Sequence, residues 1–291
     1  MSSDSSVSRR ALLGTGLAVA GGLVVANSLP AFAASKTRVV AIPFSSDLYA
    51  SLEPQRFSLV LQQGGSGGIK YVSGPPVQVR FKGPDGTWTS PIPMVLDRAG
   101  LPKGRGVYHS LATFGQAGIW DGEASFSGTT SKFSMSLPET AVAPVAGQQA
   151  PRAASPTKAA PLGVKPICTR VPQCPLHTVS LSDVVGAGKP VAVLFATPAL
   201  CASQYCGPVL DELLAIKKPY EAKVTFVHVD IYKNLRASDE SPTVTAWSLP
   251  SEPWLFTIDG AGTIVSRLDT AFGTKEMSLT LDQLVAASAT S

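Results

Sequence analysis

Cys201 and Cys206, with four residues between them, stand where an apolar run ending at Phe195 gives way to a helix-forming stretch that starts near Cys206-Gly207-Pro208. The end of a helix offers unpaired N–H groups and a partial positive charge, which stabilise a thiolate and lower a cysteine pKa. A second cysteine a few residues away can resolve a mixed disulfide formed by the first. No histidine or lysine adjoins the pair, so the helix end is its main activator. Residues five apart in a regular helix have Cα atoms roughly 8–9 Å apart, whereas a disulfide tolerates no more than about 7 Å. For these two sulfurs to bond, Cys201 must lie outside the helix or the turn must unwind.

A second constellation precedes the first predicted strand: Cys168, Cys174 and His177. Four cysteines allow three pairings, of which the sequence neighbours Cys168–Cys174 and Cys201–Cys206 are the simplest. The first pair is expected to be a structural disulfide closing a short loop, worth about 2–3 kcal/mol. The sharper alternative is a metal or relay site using Cys168, Cys174 and His177. Tetrahedral zinc wants a fourth ligand and no residue at short spacing supplies one, so the expectation is no metal and no cofactor. His228 lies within a predicted buried strand and reads as a core histidine. Copper held by Cys201 and Cys206 with a distant His177 or His228 is a lesser alternative.

The elements that must position these residues fall in two regions. From 37 to 137 short segments alternate apolar and polar residues with period two, as in Phe57 to Leu61, Val77 to Phe81 and Lys132 to Leu137. Turn formers such as Gly74-Pro75-Pro76 and Pro84-Asp85-Gly86 separate them, which predicts an antiparallel β-sandwich of roughly seven strands. Trp88, Trp120 and Tyr108 are expected in its core. Residues 139–165 are rich in Pro and Ala and predict an extended, semi-rigid linker. From 166 to 291 the pattern becomes strand, helix, strand, hairpin, helix, an α/β layer fold. Its strands are Lys189 to Phe195, Val224 to Ile231 and the hairpin Trp254 to Arg267. Its helices begin near Pro208 and near Leu279.

The first 33 residues read as an address. Arg9-Arg10, a weakly apolar run to Ala26 and the small-residue exit Ala31-Phe32-Ala33 are the parts of a secretory signal. The paired arginines resemble a bacterial twin-arginine signal, which implies an exported protein cleaved near Ala33–Ala34, or a membrane-anchored one if uncleaved. Charged residues make up 15% of the chain, and the net charge of +4 is scattered without a basic stripe, so nucleic acid is excluded as a partner.

The stretch Gly106 to Trp120 resembles the closing strands of bacterial immunoglobulin-like domains. From about 178 to 288 the chain resembles thioredoxin: apolar strand, cysteine-bearing turn, Cys206-Gly207-Pro208 opening a helix, second strand, and Pro253 leading the hairpin. That resemblance implies a proline in the cis form at Pro253, placed against the active cysteines. It implies Cys201 as nucleophile, Cys206 as resolving cysteine, and Pro253 with the Glu252 backbone as substrate-positioning residues. The chain departs from the family in having four residues between the cysteines instead of two, Leu200 in place of the usual tryptophan, and an apolar residue near Leu194 in place of the buried acid.

The function so implied is thiol–disulfide exchange on protein thiols and disulfides of the cell envelope, with an unidentified membrane redox partner. The alternative is a non-catalytic envelope-binding scaffold with two structural disulfides. A peroxiredoxin-like peroxidase is a lesser reading, because Pro198 and Leu194 occupy the positions of that family's threonine and proline, and Thr197 stands one residue too early.

Overall fold

A computed structural model describes residues 38–65, 68–201 and 203–288; the leader expected at 1–33 lies outside them. The first region consists of nine strands: β1 (Val39–Pro43), β2 (Ser51–Gly65), β3 (Gly68–Val72), β4 (Gln78–Lys82), β5 (Ile92–Pro93), β6 (Val95–Asp97), β7 (Val107–Phe114), β8 (Gly118–Phe126) and β9 (Thr129–Leu137). They form two antiparallel sheets, one ordered β1-β2-β7-β6 with β3 beside β2, the other β5-β4-β8-β9. This is an immunoglobulin-like sandwich. The period-two pattern predicts its interior: Ser131, Phe133, Met135 and Leu137 of β9 are buried, as are Trp120, Gly122, Ala124 and Phe126 of β8. Gly122 is required because the Phe133 ring lies 2.1 Å from where a Cβ would sit.

Tyr108 is buried, its hydroxyl donating to the Pro75 carbonyl and accepting the Gly74 N–H. Trp120 packs edge-on against Phe114 at 5.2 Å. Trp88 departs from the expected core role. It is 37% exposed and lies under the Arg80 guanidinium at 4.5 Å, where a cation meets the ring face.

The second region contains α1 (Leu181–Val184), β10 (Val191–Phe195), α2 (Cys206–Ile216), β11 (Thr225–Val229), α3 (Pro242–Trp247), β12 (Trp254–Ile258), β13 (Ile264–Asp269) and α4 (Thr274–Ser288). The strand order is β11-β10-β12-β13, with β10 and β11 parallel and the others antiparallel. That order and those directions make a thioredoxin-like sheet. All five residues of β10 are buried, as expected of a strand covered on both faces. Ala192 and Leu194 face the α2 and α4 side; Val191, Val193 and Phe195 face the side of α1, α3 and Trp247. In α2 the buried residues Cys206, Val209, Leu210 and Leu213 follow the i, i+3, i+4, i+7 stripe of an amphipathic helix.

The segment 139–165 is laid against the second region rather than standing free of it. Gly147 N–H and Ala150 N–H donate to Ile264 and Gly262, and Ile264 N–H returns to Gln148. Ala143, Ala150, Ser155 and Val164 are buried there. Composition predicts an extended chain; the segment instead makes turns at Gly147 and at Leu162–Gly163, and its backbone bonds to the edge strand β13.

A buried polar seam joins the two regions. Arg56 of β2 donates to both carboxylate oxygens of Glu276 (2.6 and 2.9 Å), to Asp269 (3.1 Å) and to the Ala271 carbonyl (2.6 Å). Arg267 reaches back to Asp47 at 2.7 Å. Asp97 accepts the Glu276 N–H at the start of α4, and Gly273 is required there because a Cβ would fall 2.4 Å from the Asp97 carboxyl. A planar guanidinium fork is matched here to buried carboxylates.

Candidate functional site

Cys206 is the first residue of α2 and Cys201 lies outside it, in the turn that follows β10. The helix has no side-chain cap at Tyr205. In place of a cap, the Cys201 sulfur accepts the Cys206 N–H at 3.3 Å and the Ser203 hydroxyl at 3.1 Å. The sulfurs of Cys201 and Cys206 and a Glu252 carboxylate oxygen all lie within 4.8 Å of one another. The four-residue spacing therefore brings the sulfurs together by unwinding, with Gln204 in the left-handed region (φ 63) just before the helix.

The two thiols are polarised in opposite directions. Cys201 is pulled down to about 6, first by the hydrogen bond from Cys206, then by Ser203 and the backbone N–H groups of Cys206 and Tyr205, against the opposing effect of burial. Cys206 is pushed well up by burial, then by the Cys201 sulfur and the Glu252 carboxylate. Cys201 is partly exposed and Cys206 is fully buried. The partly exposed sulfur thus favours the thiolate and the buried one the thiol.

Glu252 enters through its side chain: Oε2 stands 3.7 Å from the Cys206 sulfur. The Glu252–Pro253 peptide is cis. Leu194 is apolar and fully buried, and Glu252 is the carboxylate that meets Cys206. Spacing could not reveal this contact, since 46 residues separate the two.

The β-sandwich grips the same turn. Arg105 donates to the Ser203 carbonyl (2.9 Å) and to Gln204 Oε1 (2.6 Å), and its guanidinium lies over Tyr71 at 4.4 Å and Tyr205 at 5.5 Å. Phe44 packs edge-on against Tyr205. The residues between the cysteines are therefore held by the neighbouring domain, a contact with no signature in the sequence.

Cys168, Cys174, His177 and His228 form a second cluster, and all four are buried. All four cysteines of the chain are free thiols here. His228 Nδ1 stands 3.4 Å from the Cys174 sulfur, 3.7 Å from the Cys168 sulfur and 3.1 Å from His177 Nε2. The other nitrogen of His228, Nε2, is 3.0 Å from the Ala196 carbonyl. Cys168 is pulled down by the hydrogen bond from Cys174 and by both imidazoles, while that same bond and burial push Cys174 up. Asp230 anchors this loop to β11 by accepting the Thr169 N–H (2.7 Å) and hydroxyl (2.9 Å).

His177 and His228 thus gather around Cys168 and Cys174, whereas Cys201 and Cys206 are joined by Glu252. Thr197, weighed for a peroxidase, is fully buried and its hydroxyl oxygen accepts the Ile231 N–H at 2.9 Å. Among the described residues no helix is long and apolar enough to cross a membrane.

Fold and site together define a thioredoxin-like domain with a polarised two-cysteine turn, fastened to an immunoglobulin-like β-sandwich. No protein-family model matches the chain, and no curated protein matches it. Among solved structures it is similar to a putative thiol:disulfide interchange protein DsbE from Chlorobium tepidum, at 18% identity and a TM-score of 0.35 over 49% of this chain and 96% of that one. A thioredoxin-like superfamily protein aligns at 13% identity and a TM-score of 0.30, over 37% and 85%. The Lin-41 filamin domain aligns at 14% identity and a TM-score of 0.24, over 35% and 93%. The fold assignment stands on the strand order and directions given above.

Proposed function

We propose that this chain is an exported thiol–disulfide oxidoreductase acting on protein thiols and disulfides of the cell envelope. The observation that carries the reading is the opposite polarisation of the pair: Cys201 at about 6 with its sulfur on the N-terminus of α2, Cys206 buried against Glu252. In the reducing direction the Cys201 thiolate attacks one sulfur of a substrate disulfide and displaces the other as a thiolate. Glu252 takes the proton of Cys206, whose sulfur then attacks the Cys201 sulfur. The second substrate thiolate leaves, and two electrons have passed from the dithiol to the substrate. The same steps reversed oxidise a substrate dithiol. Pro253 and the Glu252 backbone form the edge against which the substrate chain lies. The paired arginines and small-residue exit at the N-terminus support action outside the cytoplasm, with a membrane redox partner to reset the pair.

Equilibrating the purified protein in glutathione buffers and trapping its thiols tests this. The expected Cys201/Cys206 potential lies above about −300 mV, the range of exchange-active pairs. A pair that stays oxidised below that value is a structural staple, and the chain is then a scaffold.

A further inference from the structure

We propose that Cys168, Cys174, His177 and His228 bind a single zinc ion in a closed tetrahedral site. Zinc–sulfur bonds of about 2.3 Å and zinc–nitrogen bonds of about 2.0–2.1 Å at tetrahedral angles require donor separations of roughly 3.3 Å between nitrogens and 3.5 Å between nitrogen and sulfur. The chain sets His228 Nδ1 and His177 Nε2 3.1 Å apart, and His228 Nδ1 3.4 and 3.7 Å from the two sulfurs. All four donor atoms lie within 4.8 Å of one another. The three separations from His228 Nδ1 thus match the tetrahedral values to within a few tenths of an ångström.

The tautomer points the same way. His228 Nε2–H donates to the Ala196 carbonyl, so its Nδ1 lone pair faces the cluster, as a carbonyl bonded to the far nitrogen orients a metal-bound imidazole. His177 presents Nε2 to the same point. Cys168, Cys174 and His177 are each 1% exposed and His228 is 0% exposed. Two thiolates in so dry a place need a counter-charge, and a divalent cation balances them completely. Zinc binding would displace the two thiol protons to solvent and use the neutral imidazole lone pairs, with no change of oxidation state.

Four protein donors leave no position for a substrate, which makes the site structural. Its mechanical role follows from where it sits. The ion would tie the loop bearing Cys168, Cys174 and His177 to β11, and through Ala196 to the start of the segment that carries Cys201. The supports of the redox turn would then be the zinc site on one side and Arg105 on the other.

The test uses the full chain with Cys201→Ser and Cys206→Ser, so that only the buried thiols remain and the outcome is independent of thiol–disulfide exchange. The reduced protein is titrated with cobalt(II), then zinc(II). Expected are saturation at about one ion per chain, intense tetrahedral cobalt bands with thiolate charge transfer, and bleaching by zinc. Adding Cys174→Ser or His228→Ala should abolish the bands while circular dichroism reports an intact fold. If those variants unfold, X-ray absorption at the zinc edge of the parent decides: a shell of two sulfurs and two nitrogens supports the site, and a shell of oxygens overturns it. The proposal is also overturned if the folded, reduced parent gives no tetrahedral cobalt spectrum, or if the bands survive both variants. It falls too if the wild-type protein is isolated with a Cys168–Cys174 disulfide and takes no cobalt after reduction.

Discussion

The two cysteine pairs of this chain share one hydrophobic core, yet their surroundings give them different chemistry. Cys201 is partly exposed, caps α2, and is held near 6 first by the Cys206 thiol and then by hydroxyl and amide donors. Cys168 and Cys174 are buried against two imidazoles. Both pairs are flanked by polar groups from distant parts of the chain, Glu252 for one and His228 for the other. The lesson is that a thiol's role follows from what donates to it and whether solvent reaches it. Hydrogen-bond donors at a partly exposed helix end favour a thiolate, while imidazoles in a dry pocket set nitrogen and sulfur donors side by side.

The largest break in this contrast is Cys201→Ser. Exchange between a model dithiol and a protein disulfide should fall by several orders of magnitude, because the attacking sulfur is gone. A substantial residual rate would hand the nucleophile's role to another cysteine. Glu252→Gln is next. Without a carboxylate at 3.7 Å to accept the Cys206 proton, the resolving step should slow roughly 10²-fold near neutral pH. The intermediate joined through Cys201 should then accumulate and be trapped by acid quench; equal lifetimes in both proteins would remove Glu252 from the mechanism.

A pH series sharpens the comparison without mutation. Only the thiolate alkylates, so the rate of Cys201 modification should rise as pH increases through about 6, then level off. A midpoint near the ordinary cysteine value of about 8.5 would mean that the helix end and its donors do not act on this sulfur. The buried Cys168 and Cys174 should stay unmodified in the folded protein across the same range. The smallest effect is expected from Arg105→Ala. Losing the bonds to Ser203 and Gln204 and the stacking on Tyr71 should lower stability by about 1–2 kcal/mol in urea unfolding. It should also speed alkylation of Cys201. A variant with unchanged stability and reactivity would show that the β-sandwich does not restrain the turn.

Much of the fold was legible because it is written locally. The alternation in Lys132 to Leu137 set β9, the all-apolar run to Phe195 set a doubly covered strand, and the stripe from Cys206 to Leu213 set α2. That Cys201 stand outside the helix, or the turn unwind, if the two sulfurs are to bond followed from helix geometry alone. The candidate sites were half legible. Cys168, Cys174 and His177 are neighbours in sequence, but the fourth member, His228, lies 51 residues beyond His177. The only signal for it was a histidine in an otherwise apolar strand, a polar ring that must find a partner once buried. Period two gives a strand its faces but does not say which loop will cover them. Arg56 carried no signal at all, since its carboxylates come more than 200 residues later.

By itself, then, the sequence determined the main strands, the two longer helices, the turn that holds Cys201 and Cys206, and the change from a β-rich to an α/β pattern. Each of these depends on interactions within a few residues: hydrogen bonds along a helix, alternation along a strand, a proline or glycine at a turn. Tertiary structure alone decided that Glu252 faces Cys206, that His228 completes the second cluster, that Arg105 and Arg56 clamp one domain on the other, and that 139–165 lies against β13. Those contacts join residues whose separation along the chain says nothing of their distance in space. They are set by which buried faces exclude water together, and by the need of every polar group carried inside to find its partner there.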